Sequence, residues 1–164
     1  MPTAMTETEA LLRQLRAERG HVLEAIEGLS DADLRRGVLP SGWSCLGLVK
    51  HLAVDVERFW FRKAVAGEDV ELYEGAEGWT VGPETPAEEI LALYEDEAAR
   101  ADAIIAATAM DAFPKWWPVE LFPNFPAREL RRTVLHVMAE TATHAGHLDA
   151  VRELIDGRQY LVLT

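Results

Sequence analysis

Cysteine, basic charge and long apolar runs are scarce in this chain, and each shortage excludes a class of protein. Cys45 is the one cysteine among 164 residues, so no disulfide can form within the chain. No apolar run reaches the roughly 18 residues that indicate a membrane helix, which argues against a membrane span. The polar, acidic N-terminus lacks the basic start and apolar core of a secretory signal, so we expect a cytoplasmic protein.

Basic residues are outnumbered, with 16 lysines and arginines against 28 carboxylates and a formal net charge of −12. A surface of this sign repels a phosphate backbone, so nucleic-acid binding would require a compensating basic patch. The densest basic cluster is short and consists of Arg128, Arg131 and Arg132, with Arg35 and Arg36 elsewhere. We therefore expect no nucleic-acid partner and attribute the acidity to solubility.

Several common motifs are also missing from the sequence. It contains no phosphate-binding glycine loop, no zinc-ribbon cysteines, no serine-hydrolase elbow and no internal repeat. Cys45 falls on an apolar helical stripe, which is typical of a small buried side chain rather than a nucleophile. Any chemistry must therefore come from other side chains.

The hydrophobic pattern is helical, and no segment shows the alternation of a strand. Thr6 and Glu9 predict a capping box at the start of the first helix, and Ser30 and Ser44 can cap the next two helices. At Thr85 the sequence Thr-Pro-Ala-Glu predicts another capping box, with proline at the first helical position. The chain thus carries clear start signals for its helices.

Two segments interrupt the helices. Residues 67–84 are acidic and glycine-rich and predict a loop, and residues 113–126 combine four prolines with aromatic side chains. We expect the second loop to fold over the end of the bundle, with a pocket wall or an interaction surface as alternatives. The last helix is predicted over residues 127–155, with Gly157 as its stop. The prediction is an all-α four-helix bundle with a short extra helix, forming a single domain over residues 1–164.

The last helix carries two polar residues near its apolar face. At about 100° per residue, one broad face collects seven residues: Leu130, Val134, Val137, Thr141, Leu148, Val151 and Ile155. His144 lies near the middle of this face, and Glu140 lies at its edge one turn earlier. Because a buried carboxylate without a partner is costly, we expect something to compensate Glu140.

The second main helix offers partners for that pair. His51 and Asp55 follow one edge of its apolar stripe, and facing helices of a bundle can bring such residues together. Two imidazoles and one carboxylate suit catalytic zinc with one open position, and they also suit non-haem iron(II). The spacing leaves His136, His147 and Asp55 open as alternative ligands or supporting groups. The spacing is equally compatible with histidines that form hydrogen bonds and bind no metal.

Two segments resemble the DinB-like superfamily of four-helix bundles. Residues 41–52, SGWSCLGLVKHL, and then 57–61, resemble the second-helix signature of that superfamily. Residues 136–147, HVMAETATHAGH, and then Asp149 and residues 152–157, resemble its last-helix signature. The match is closest to a branch related to mycothiol-dependent enzymes, including the mycothiol S-transferases and the N-terminal domain of mycothiol-dependent maleylpyruvate isomerase.

The resemblance implies one divalent metal bound by His51, Glu140 and His144, with glutamate where many members have a third histidine. Zn²⁺ is the expected ion, with Ni²⁺ or Fe²⁺ as alternatives. The implied activity is a metal-dependent thiol S-transferase that joins a small-molecule thiol such as mycothiol to an electrophilic substrate. The implied assembly is a homodimer. A non-catalytic metal-binding stress-response bundle, a metal-dependent hydrolase and an interaction module remain the alternatives.

Overall fold

The computed structural model describes residues 4–161, within which the protein is a helical bundle and contains no strand. The elements, in chain order, are α1 (Glu7–Ile26), α2 (Asp31–Arg35), α3 (Cys45–His51), a π-helix that continues α3 (Leu52–Val65), a 3₁₀ turn (Glu77–Trp79), α4 (Ala87–Ala107) and α5 (Leu130–Asp156). The helix α1 packs against α5, and the π-helix packs against both α4 and α5. The predicted all-α four-helix bundle with a short extra helix is confirmed. None of the helices in the described range is both long and apolar enough to cross a membrane.

Three of the predicted helix starts are confirmed. The backbone N–H of Glu9 donates to the Thr6 hydroxyl at 3.2 Å, and the Thr6 backbone N–H donates to the Glu9 carboxylate at 2.8 Å. The hydroxyl of Ser30 accepts from the third helical residue of α2 at 3.1 Å, and Ser44 does the same for α3 at 3.0 Å. Each serine or threonine thus satisfies one backbone donor that the first turn leaves free.

The predicted capping box at α4 is wrong. Pro86 is the residue before the helix, with extended torsion angles of −60° and 143°, and no side chain caps the first turn. The guanidinium of Arg35 donates to the carbonyl of Thr85 at 2.6 Å and to that of Gly82 at 3.1 Å. These bonds hold the segment before α4 against α2, and the chain stays extended for one residue longer than the motif predicts.

The last helix begins at Leu130, three residues later than predicted. The N–H groups of Leu130 and Arg131 donate to the carbonyls of Ala112 and Met110 at 2.8 and 2.9 Å. The preceding loop thus satisfies two of the free donors at the helix start. The predicted stop is confirmed, since Gly157 takes the left-handed conformation with a φ of 81°.

The second main helix departs from the predicted α-helix directly after His51. The next 14 residues form a π-helix, a wider winding that usually occurs as a single turn and often lies at functional sites. Charged side chains of this segment bind the neighbouring helices. Glu57 is buried against Arg19 of α1, and Arg58 and Arg62 bind the buried Glu97 of α4 at 2.8 and 3.0 Å. The sequence analysis did not anticipate these buried ion pairs.

The aromatic and proline-rich loop lies against the C-terminal part of the π-helix. The N–H groups of Lys115 and Trp116 donate to the carbonyls of Val65 and Ala64 at 3.3 and 3.1 Å. The indole N–H of Trp117 donates to the carbonyl of Phe125 at 2.9 Å and closes the loop on itself. The loop packs against this end of the bundle, but Phe113, Leu121 and Phe125 stay exposed. It also forms a wall of a pocket, which was one of the two alternative interpretations.

Candidate functional site

His51 and His144 meet between the second and last helices. Their ring centroids are 5.2 Å apart, and the rings are nearly perpendicular at 78°. His51 is the last residue of α3, and His144 lies in the second half of α5. Both side chains are largely buried, with 16 % and 13 % of their surface exposed. The structure therefore brings together two of the three residues predicted as metal ligands.

Asp55 fixes the orientation of the first imidazole. Its carboxylate lies 2.8 Å from Nδ1 of His51, one turn earlier on the same helix. A carboxylate accepts such a bond from Nδ1–H, so Nε2 is the nitrogen through which His51 would bind a metal. This is the arrangement in which a carboxylate orients a metal-binding histidine.

His144 is held in its neutral form. Burial and the nearby His51 lower the pKa of His144 to about 4, although Glu140 acts in the opposite direction. Nδ1 of His144 is buried and has no hydrogen-bond partner among the described residues. A buried, neutral imidazole with one unsatisfied nitrogen has the protonation state that metal binding requires.

Glu140 lies next to this pair but does not complete a closed cluster. Its carboxylate is 3.7 Å from Nε2 of His144, beyond hydrogen-bonding distance, and 42 % of its side chain is exposed. The expected burial of this carboxylate is wrong, because Glu140 lies at the edge of the helix face, where solvent reaches it. Within residues 4–161, no three His, Cys, Asp or Glu side chains are arranged to hold a metal ion as they stand. The chemistry of the three side chains fits a divalent metal, whereas their present rotamers would have to adjust.

Trp79 is a site residue that the sequence analysis missed. Its indole stacks on His51 at 4.1 Å between centroids with 17° between the planes, and it contacts the edge of His144 at 5.8 Å. The 3₁₀ turn that carries it is tied to α3 by Lys50, whose ammonium donates to the carbonyls of Glu77 and Thr80. A lone tryptophan in an otherwise polar, glycine-rich loop was the signal available in the sequence.

Two glycines allow this turn to approach the helix. A Cβ on Gly47 would overlap the carbonyl oxygen of Trp79, and a Cβ on the buried Gly78 would overlap the carboxylate of Asp55. Because that carboxylate holds His51, the absence of a side chain at Gly78 preserves the hydrogen bond. The two glycines therefore position the indole over the imidazole.

The remaining candidate ligands lie around the pair. The ring of His147 is 5.5 Å from that of His144, and the residue is exposed. His136 lies two turns before His144 on α5 and contacts the ring of Trp60 edge-on at 5.0 Å. The structure thus places His136 further along the same face of α5, and it places His147 on the solvent side of the pair.

A pocket of about 460 Å³ opens beside these residues. His51, Asp55 and Glu140 contribute to its lining, together with aromatic side chains of the π-helix and of the proline-rich loop. Trp60 belongs to this wall and lies 5.6 Å from Trp117 between ring centroids. A volume of this size is typical of a small-molecule site.

Cys45 takes no part in the site. The side chain is fully buried in the core, and burial raises the pKa of its thiol to about 11. A protonated, inaccessible thiol is a poor nucleophile. The prediction of a small buried residue is confirmed.

A comparison with protein families identifies the relatives of this chain. The family model described as mycothiol S-transferase matches residues 10–157. A search of curated proteins found no match. The match extends from α1 to the stop of α5 and so includes every residue of the candidate site. The chain therefore belongs to the mycothiol S-transferase family of DinB-like proteins.

Proposed function

We propose that this protein is a metal-dependent S-transferase that joins a low-molecular-weight thiol, mycothiol or a close analogue, to a small electrophile. The observation that carries the proposal is the pairing of two largely buried imidazoles, His51 and His144, next to a pocket of about 460 Å³ that His51 and Glu140 line. Membership in the mycothiol S-transferase family supports the thiol. Neither observation specifies the electrophile.

The donor chemistry supports His51, Glu140 and His144 as ligands of one divalent metal. Asp55 binds Nδ1 of His51, so Nε2 is the nitrogen that would bind a metal, and His144 has a buried nitrogen without a partner in the described part of the chain. The side chain of Glu140 is exposed enough to rotate toward the two rings. Such a ligand set suits Zn²⁺, with Ni²⁺ or Fe²⁺ as alternatives. When bound, the metal would stabilise the thiolate form of the substrate thiol.

The other residues would prepare the site. Asp55 would keep the proton on Nδ1 of His51 and hold the plane of the ring. Trp79 stacks on one face of His51 and would shield it from water. Trp60 and the aromatic loop form an apolar wall against which an electrophile can lie next to the thiol. Cys45 would supply no sulfur to the reaction.

Metal content and ligand variants test the ligand assignment. Purified protein, or metal-free protein reconstituted with Zn²⁺, should hold about one metal per chain by elemental analysis. Glu140→Gln and His144→Ala should each lose the metal, whereas Cys45→Ala should keep it. His147→Ala is the matched control on the same helix and should also keep it. Loss of metal in the His147 variant with retention in the His144 variant would overturn the assignment.

Turnover assays test the activity. The metal-loaded protein should accelerate the reaction of mycothiol with monobromobimane, and the His144 variant should not. The same site could instead activate water, so the assay is repeated with an activated ester and no thiol. Ester hydrolysis without thiol transfer would favour the hydrolase alternative. Metal binding with neither activity would favour a non-catalytic bundle.

A further inference from the structure

The pocket has opposite charge at its two ends. Arg132, His136 and Glu140 follow one face of α5 in steps of four residues, and all three line the pocket. At ~1.5 Å per residue, Arg132 lies about 12 Å along the helix axis from Glu140. Arg128, just before α5, lines the same end as Arg132. Arg128 and Arg132 therefore lie two turns or more along the chain before Glu140 of the candidate metal site.

Neither arginine has a carboxylate within 4.0 Å among the described residues; Arg132 is exposed and Arg128 is partly buried. Nine other arginines bind carboxylates within 4.0 Å. The guanidinium of Arg128 instead lies 5.2 Å from the ring centre of Phe125, in the aromatic loop. Two guanidinium groups that line one cavity, with no ion pair in the described part of the chain, provide a place for an anion.

Aromatic rings line the space between the two ends. Trp60 contacts His136 at 5.0 Å, and its indole lies nearly parallel to the ring of Phe122 with 6.0 Å between centroids. Flat apolar walls favour a planar ligand, because offset or edge contacts with rings add to the burial of area. At the opposite end, Asp55 binds His51 and Glu140 is a proposed metal ligand, so Arg128 and Arg132 are the cationic side chains of the lining left for an anion.

We propose that the electrophilic substrate is a planar, aromatic carboxylate bound with its carboxylate at Arg128 and Arg132. The ring would lie along the wall formed by Trp60 and Phe122, with its reactive carbon toward His51. The position of attack rests on the function proposed above, whereas the anion subsite rests on the two arginines alone. With a benzylic halide, the thiol releases its proton to solvent, the thiolate sulfur forms a bond to the benzylic carbon, and the halide leaves with its bonding electron pair.

A matched pair of probes tests the subsite by binding. Titration calorimetry compares 4-methylbenzoate with its neutral methyl ester, which has the same ring and no charge. The wild-type protein should bind the acid at least about tenfold more tightly than the ester, because hydrogen bonds to a charged carboxylate contribute free energy of this size. Arg132→Gln and Arg128→Gln should each reduce the acid-to-ester ratio several-fold, and Arg132→Lys should retain most of it. Arg13→Gln, an exposed change of the same charge on α1, is the control and should keep the ratio.

Turnover separates the two proposals. Transfer of mycothiol to 4-(bromomethyl)benzoate is compared with transfer to its methyl ester, and the ratio of kcat/KM should fall in the Arg132 and Arg128 variants. Selective binding without turnover would leave the anion subsite in place and refute the transferase. Turnover of both probes with equal kcat/KM, or an unchanged binding ratio in both variants, would overturn the subsite.

A carboxylate on the thiol is the other possible source of the anion. If the ratio between N-acetylcysteine and its methyl ester fell in the variants instead, the carboxylate would belong to the thiol.

Discussion

The ion pair between Arg19 and Glu57 gives the sharpest quantitative prediction. Nε and Nη2 of Arg19 bind the two oxygens of Glu57 at 2.7 Å each, and the side chains are only 6 % and 1 % exposed. Arg19→Met would leave a carboxylate buried without a counter-charge. Removing one partner of such a pair typically costs about 3–5 kcal/mol, because the remaining charge stays desolvated. We expect a loss of this size in the free energy of unfolding at pH 7.

The double variant Arg19→Met/Glu57→Gln isolates the buried charge. Glutamine removes the charge and keeps the shape, so the double variant should be less destabilised than Arg19→Met by about 2 kcal/mol or more. Asp102, which also binds Arg19, keeps its contact with Arg16 at 2.6 Å and is partly exposed. Its charge therefore remains partnered in both variants.

The pH dependence gives an independent check. Burial raises the pKa of Glu57 even with Arg19 beside it, so loss of the arginine should raise it further. A carboxyl whose pKa is raised in the folded state stabilises the fold below its unfolded pKa, and that contribution is lost as the pH rises through the folded value. The Arg19→Met variant should therefore recover stability as the pH falls from 7 toward about 4.5.

Urea unfolding followed by circular dichroism at pH 5 and pH 7 measures these differences. Arg16→Met is the matched control, because Arg16 is 60 % exposed and binds the same Asp102. Arg16→Met should lower the free energy of unfolding by less than about 1 kcal/mol, because exposed ion pairs contribute little. A cost below about 1 kcal/mol for Arg19→Met, or a double variant less stable than the single one, would refute the reasoning.

Three further outcomes follow from contacts around the second helix. Asp55→Asn should weaken Zn²⁺ binding about tenfold in a chelator competition, since the neutral amide orients its imidazole less strongly; an unchanged Kd would contradict this. Gly47→Ala should displace the carbonyl of Trp79 and cost about 1–3 kcal/mol in urea unfolding, whereas Gly20→Ala, with open space at its Cβ, should not destabilise. Cys45 should resist iodoacetamide at pH 8 until the protein unfolds, because burial raises its thiol pKa to about 11; rapid labelling of folded protein would contradict burial.

Local signals predicted much of the fold. The capping residues Thr6, Ser30 and Ser44 act within their own first turns, so three neighbouring residues suffice to identify them. Helical periodicity placed Glu140 and His144 near the inward face of the last helix, and the structure brings His51 to the same place. Spacing along a single helix could not choose between these residues and His136 or His147, and the family resemblance made that choice.

Features that depend on distant residues were not predictable in this way. Trp79 reaches His51 because Lys50 holds its loop against α3 and because Gly47 leaves room for the carbonyl of Trp79. The start of α4 differs from its motif because Arg35 binds backbone carbonyls far along the chain. In each case a tertiary contact overrides a local preference, and no pattern within a few residues reports it.

The π-helix links the buried ion pairs to the candidate site. His51 is the last residue before it, Asp55 lies in its first turn, and Glu57 follows two residues later on a side that contacts α1. Further along, Arg58 and Arg62 bind Glu97 of α4. These ion pairs restrict the rotation of this helix about its own axis, because turning it would separate the carboxylates of Glu57 and Glu97, each only 1 % exposed, from their counter-charges. The ion pairs to α1 and α4 thus hold the imidazole and its carboxylate toward α5, where His144 and the pocket lie.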